Sequence, residues 1–316
     1  MVEWLKRVLG FLFAAGAFMW VLHDIHPGDL IRHMVIPHPA WLLLAITGDI
    51  LGYLMQGVRW RLLLLPLGNL RIRKTAQAVY AGLFVNEVIP MRLGEVVRAY
   101  LVARWLSVRF TSILPSMLFE RLADGLWLAV GVCVAALYVP LPAFMIRGSE
   151  LLGAILLASI ALLFLTAWFG RASKSKRIGH VAGMIHAAGT APAFWLAFFA
   201  SSVLLMMQSM AFWFVMKAYA LPLNFWVGAA VFLIVRLGTA IPNAPANVGT
   251  FQFFVVAGLV FFGLDKATAA AFSIAVFMIL TIPSWLIGSI ALGRTGLTLT
   301  EVRFGLTDQA SAEAAA

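Results

Sequence analysis

The sequence predicts an all-α polytopic integral membrane protein, on three observations. Of its 316 residues, 63% are hydrophobic and 11% charged, against roughly 45–50% and about 25% in soluble domains. Apolar runs long enough to cross hydrocarbon recur from end to end, and about 20 residues suffice for a helix to do so. No segment shows the alternating pattern of a membrane barrel, and lipid admits only helices or closed barrels.

Six full spans are expected, at about 8–22, 40–65, 111–139, 151–169, 191–217 and 267–292. The first follows Lys6 and Arg7 and resembles a signal peptide. It runs into His23 and Asp24 with no small-residue cleavage site, so it is expected to stay as an anchor. The second carries Asp49, Gln56 and Arg59, whose spacing puts them on one face. The third opens on a polar turn with Glu120, Arg121 and Asp124, and holds the single cysteine, Cys133. Two further apolar stretches, 75–105 and 223–262, are each broken near the middle by Pro and Gly, and are expected to be re-entrant hairpins. The alternative is a count of eight spans, with 223–241 and 248–262 each crossing. Both counts are even and leave the termini on one side.

The net charge is +10. It does not point to nucleic acid, because the basic residues gather at span ends. Lys6, Arg7, Arg71, Arg73, Lys74, Arg104, Arg109, Arg171, Lys174, Lys176, Arg177, Arg294 and Arg303 fall on one side. Arg32, Arg147, Lys217 and Lys266 fall on the other. The excess places both termini in the cytoplasm. Residues 1–303 read as one membrane domain and 304–316 as a disordered tail.

The two broken stretches align. Pro90 and Gly94 in the first correspond to Pro245 and Gly249 in the second, with three residues between each pair. Long spans flank both, giving one repeat over about 40–139 and another over about 191–292. On this count the first hairpin enters from the cytoplasm and the second from outside, so the repeats are inverted. Paired Pro/Gly-interrupted segments in two halves are a pointer to a transporter's midplane site.

The first break is charged. In a helix starting near Arg92, the residues Arg92, Glu95 and Arg98 form one stripe. A helix break frees backbone N–H groups, and free N–H groups beside arginine suit a phosphate or carboxylate. The second hairpin holds Arg236, Asn243, Asn247 and Gln252. An ionisable group at the bilayer centre costs on the order of 2.5–3.5 kcal/mol on insertion scales, so these groups must pair or face water. The competing reading is structural: an ion network that pins the hairpin arms to a neighbouring span. His23, His26, His33 and His38 lie with Asp24 and Asp29 in the first outside loop. Their spacing fits no closed metal motif, and a solvated interfacial loop is the better reading. Trp4, Trp20, Trp41, Trp60, Trp105 and Trp168 sit near span ends, as an aromatic belt requires. No nucleotide loop, zinc-protease motif or nucleophile elbow is present, so no cofactor or metal is expected.

The chain resembles the lysylphosphatidylglycerol synthase transmembrane-region family from about the second span to the sixth. The resemblance rests on Arg59-Trp60, on Asn86, Pro90, Arg92, Gly94, Glu95 and Arg98, and on Glu120-Arg121 with Asp124. In the second half it rests on Pro242, Pro245, Asn247, Gly249 and Thr250. In multiple peptide resistance factors a domain like this is the lipid flippase, and a separate soluble domain makes the modified lipid. About two dozen residues follow the last span here, so the synthase activity is not expected. The resemblance implies lipid handling and leaves the lipid open.

The function expected is therefore an inner-membrane flippase for a lipid with an anionic headgroup. Arg59, Asn86, Arg92, Glu95, Arg98, Glu120, Arg121, Asp124 and Asn247 are the expected substrate-binding residues, with Pro90, Gly94, Pro245 and Gly249 at the hairpin tips. No catalytic residue is expected. The partners are a membrane phospholipid or a polyprenyl or hopanoid lipid, with a homodimer left open and no nucleic acid. The alternatives are a membrane-embedded transferase acting on a lipid-linked substrate and a non-catalytic scaffold for lipid or hopanoid synthesis.

Overall fold

The computed structural model describes residues 14–23, 35–89, 93–170, 191–240 and 245–297, with Leu12, Ile25 and Gly28. Every regular element among them is helical. The first expected span falls partly outside these residues, and 14–22 are helical. Then follow α1 (Ala40–Leu64), α2 (Ile72–Val88), α3 (Leu93–Leu106), α4 (Phe110–Ala136), α5 (Ala143–Gly170) and α6 (Pro192–Ala218). The second half continues with α7 (Phe225–Gly238), a 3-10 turn (Pro245–Asn247), α8 (Thr250–Phe261) and α9 (Lys266–Gly293). The chain is thus an all-α polytopic membrane protein. Within α1, α5, α6 and α9 lie stretches long and apolar enough to cross a bilayer. The helix α4 is 27 residues long and has the reach, but it carries the charges of Glu120, Arg121 and Asp124.

Local chemistry sets the ends. Asn224 caps α7, its side chain accepting from the Val227 N–H at 3.0 Å. Asp265 caps α9, accepting from the Thr268 N–H at 2.9 Å. Such caps satisfy amides that have no partner within the helix. The helix α5 begins at Ala143, ahead of the expected 151. Pro140 and Pro142 bar an earlier start. The turn holding Arg147, Ser149 and Glu150 is polar, which hid it from an apolar-run reading, yet it is helical and the Ser149 hydroxyl donates to the Ile146 carbonyl at 2.8 Å.

Both broken stretches are helical hairpins with short arms. At about 1.5 Å per residue, the 17 and 14 residues of α2 and α3 reach about 26 and 21 Å. By the same rise, the 14 and 12 residues of α7 and α8 reach about 21 and 18 Å. All fall short of the roughly 30 Å of hydrocarbon, as arms that enter and turn back would. The tip residues Pro90, Met91 and Arg92, and Ile241 to Ala244, lie outside the described residues.

Contacts group the described residues into two units. One draws on the described residues within 1–52, 79–98 and 207–302. It contains the inner ends of α2 and α3, all of α7, α8 and α9, and the packing of α8 against both α7 and α9. The other draws on the described residues within 53–78 and 99–206, and packs α4 against α5. Trp60 departs from the aromatic-belt reading: it is fully buried in the second unit and its Nε1 donates to the Ser116 hydroxyl at 3.1 Å. Trp20 and Trp168 are exposed, as a belt requires.

Candidate functional site

In the first unit, glycine lets the arms of the charged hairpin touch backbone to backbone. A Cβ on Gly94 would overlap the Gly82 carbonyl oxygen, and one on Gly82 would lie 2.6 Å from the Gly94 carbonyl oxygen. Across this crossing the Asn86 side-chain oxygen accepts from the Gly94 N–H at 2.8 Å. Gly94 is the second residue of α3, so Asn86 satisfies one of the amides that the start of a helix leaves open. It closes the hairpin from the opposite arm. One turn on from Gly94, Arg98 is buried with its Cβ against Gly82, and Glu95 is half-buried beside it.

The second hairpin solves the same problem in another way. Ala246, Asn247 and Gly249 have φ of 57°, 54° and 86°, a left-handed turn that asparagine and glycine tolerate best. Gly249 lies against the Ala14 carbonyl, where a Cβ would overlap. Its N–H donates to the Gln252 side-chain oxygen at 2.7 Å. In both halves the aligned glycine therefore gives its amide to a side-chain amide oxygen. In the first, that oxygen comes from the preceding arm, and in the second from the helix that the glycine caps. Asn247 is half-buried, and its left-handed backbone is a structural reason for its identity.

In the second unit the Arg59 guanidinium lies between two carboxylates. Its Nη2 donates to Glu120 at 2.6 Å and to the second oxygen of Asp124 at 3.2 Å, and its Nη1 donates to Asp124 and, at 2.7 Å, to the Ser201 hydroxyl. Glu120 and Asp124 stand four apart on α4, hence on one face. Arg59 and Glu120 are each only 1% exposed. The cluster ties α1, α4 and α6. An arginine held by two carboxylates has little left to offer a phosphate in this arrangement. Arg121 is exposed on another face of α4.

The expected site residues thus fall into two groups. Asn86, Gly94, Glu95 and Arg98 belong to the first unit with Asn247 and Gly249, while Arg59, Glu120, Arg121 and Asp124 belong to the second. Arg92 and Pro90 lie outside the described residues, as do Pro242, Asn243 and the histidines His26 and His33. Sequence reasoning missed Ser201, for which a lone hydroxyl in an apolar helix gives no signal. It placed Asp49 on the Arg59 face but gave it no role. Asp49 is buried, and accepts from the Ser284 hydroxyl of α9 at 3.0 Å.

Two broken apolar hairpins, one of them carrying buried charge, and apolar helices long enough to cross a bilayer define a polytopic membrane protein. The chain belongs to the lysylphosphatidylglycerol synthase transmembrane-region family, whose model matches residues 7–288. That family is membrane-lipid-related. The chain is also similar to the glycosyltransferase AglD of Haloferax volcanii, 28% identical over 126 residues, which are 39% of this chain and 20% of that protein.

Proposed function

We propose that the chain moves a lipid with an anionic, phosphate-bearing headgroup between the leaflets of a bacterial cytoplasmic membrane. The observation that carries this is Arg98, buried with Glu95 one turn before it on an arm too short to cross the membrane. A helical staple needs neither a broken helix nor a buried arginine at the break. Arg98, joined by Arg92 just before α3, would grip the phosphate while the acyl chains stay in lipid. Glu95 would hold the arginine between turnovers. The bias of basic residues orients both termini to the cytoplasm. On this reading the chain transports and makes no covalent change.

The test is translocation of acyl-labelled phosphatidylglycerol in reconstituted vesicles. A charged hydrogen bond contributes about 1.5–3 kcal/mol, so Arg98→Ala is expected to lower apparent headgroup affinity by about ten- to hundredfold. Glu95→Gln is expected to change the rate as well. Equal rates for wild type and both variants sink the assignment.

The similarity to AglD favours a second reading, glycosyl transfer onto a lipid-linked acceptor. It rests on a fifth of that protein. A covalently modified lipid among the products supports this reading over transport. An unmodified lipid recovered in the opposite leaflet supports transport.

A further inference from the structure

We propose that Asp49 is a proton-binding carboxyl that holds its proton in the arrangement seen here, and that lipid movement is coupled to proton movement through it. The coupling rests on the transport reading above. The proton site does not.

Asp49 lies on the buried face of α1 with Ala45 and Gly52. Three helices of the first unit meet around it. From α9, the Ser284 hydroxyl donates to Asp49 Oδ2 at 3.0 Å. One turn further along α9, Gly288 packs on α2 so closely that a Cβ would lie 2.6 Å from the Tyr80 carbonyl oxygen and 2.8 Å from the Phe84 Cβ. From α2, the Tyr80 hydroxyl donates to the Ile50 carbonyl at 2.8 Å, beside Asp49. From α6, Ala211 faces Gly48 with a methyl group. Asp49 thus accepts from one hydroxyl, with a phenol bonded to the next residue's carbonyl and a methyl group facing the residue before. Tyr80 is a titratable group of α2 near Asp49, Ser284 is the group of α9 that bonds it, and no ion pair to Asp49 is seen among the described residues.

The contrast with Arg59 decides how this carboxyl is held. Glu120 and Asp124 have the Arg59 guanidinium between them. Asp49 has no such partner among the described residues, and an unpaired charge is costly to bury. Intramembrane carboxyls of this kind serve proton relays in pumps and transporters. The position suits coupling, because α2 is an arm of the charged hairpin and Tyr80 stands two residues before Gly82, where the arms cross. On the other side, Pro283 precedes Ser284 and interrupts the hydrogen-bond ladder of α9. A shift of α2 or α9 that opens Asp49 to water would release its proton, and repacking would require the proton's return.

Infrared difference spectroscopy of the full chain in lipid, over a pH titration, reads the proton directly. The expected result is a protonated-carboxyl stretch present at neutral pH, absent in Asp49→Asn and shifted in frequency in Ser284→Ala. Asparagine is isosteric with the neutral acid, so that variant is expected to fold. If it does not, the Ser284→Ala shift decides. A spectrum unchanged by either variant, or an Asp49 band that titrates near the ordinary aspartate value of about 3.9, overturns the proton site. The second arm uses acyl-labelled phosphatidylglycerol in vesicles under an imposed pH gradient. One pH unit is about 1.4 kcal/mol per coupled proton, so the leaflet ratio is expected to shift by up to about tenfold per unit in wild type. In Asp49→Asn it is expected not to respond. A variant that responds like wild type overturns the coupling. A wild type that moves no lipid counts against the transport reading, and the infrared band still decides the proton site.

Discussion

Arg59 shows how one residue can set the balance of a buried cluster. Two carboxylates and a hydroxyl converge on its guanidinium at 1% exposure. Removing one partner of a buried ion pair typically costs roughly 3–5 kcal/mol, because the charge left behind has no compensation. Arg59→Ala strands two carboxylates at once. Its expected outcome is a loss of that order in stability, read as a fall in the thermal midpoint of the detergent-solubilised protein. Adding Glu120→Gln to that variant removes one of the stranded charges, so part of the loss is expected to return. If the double variant is no more stable than Arg59→Ala, charge compensation is not what holds α1, α4 and α6 together. The bonding of Arg59 was only half legible in the sequence. The spacing of Glu120 and Asp124 put both on one face of α4. Which cation they would face depends on contacts between helices far apart in the chain, and spacing carries no record of those. The same spacing rule grouped Asp49 with Arg59 on α1. Their partners nevertheless lie on different helices, because a face of a long helix meets different neighbours along its length.

At the level of elements, the hairpins were the most legible part of the fold. Pro and Gly interrupt apolar runs that would otherwise continue, and the arms end close to those residues. What the sequence did not disclose was why the glycines are needed. Gly82 carries no turn signal, yet its value lies in letting Gly94 approach. Gly94→Ala pushes a methyl group into the Gly82 carbonyl, and overpacking of this sort costs about 1–3 kcal/mol. The expected result is a lower thermal midpoint together with weaker lipid movement, since Asn86 could no longer reach the Gly94 amide. Gly148→Ala is the control. Gly148 has nothing within 4 Å of a Cβ, and alanine in an exposed helix is favoured over glycine by about 1 kcal/mol. That variant should be neutral or slightly stabilised. If both substitutions behave alike, the close crossing of α2 and α3 is not what makes Gly94 necessary. Where every face of a helix is apolar, as along α5 and α6, periodicity could not separate the lipid-facing side from the packed side. Trp60 was misjudged for this reason: proximity to a span end suggested the interface, while the decisive contact is the Ser116 hydroxyl on another helix.

For the molecule as a whole, topology is the property on which an inverted repeat depends, and arm length bears on it directly. The arms α7 and α8 have 14 and 12 residues, where a full crossing takes about 20. Neither is long enough alone, and the left-handed turn at Ala246 and Asn247 gives the chain the reversal that a hairpin needs. The tip is therefore expected to be reached from the side on which α7 begins and α8 ends. Cysteine labelling measures this. In a Cys133→Ser background, Leu223→Cys and Leu264→Cys mark that side, and Val248→Cys reports the tip, where Val248 is 41% exposed. An impermeant maleimide added to sealed vesicles of known orientation should label Val248→Cys only from the side that labels the other two, and more slowly, because the tip lies within the membrane. Labelling from the opposite side alone would mean that 225–238 and 250–261 each cross. The second stretch would then cease to be an inverted counterpart of the first. The lipid path proposed here would have to be built from the charged hairpin alone, and Arg98 would remain its anchor without a matching half.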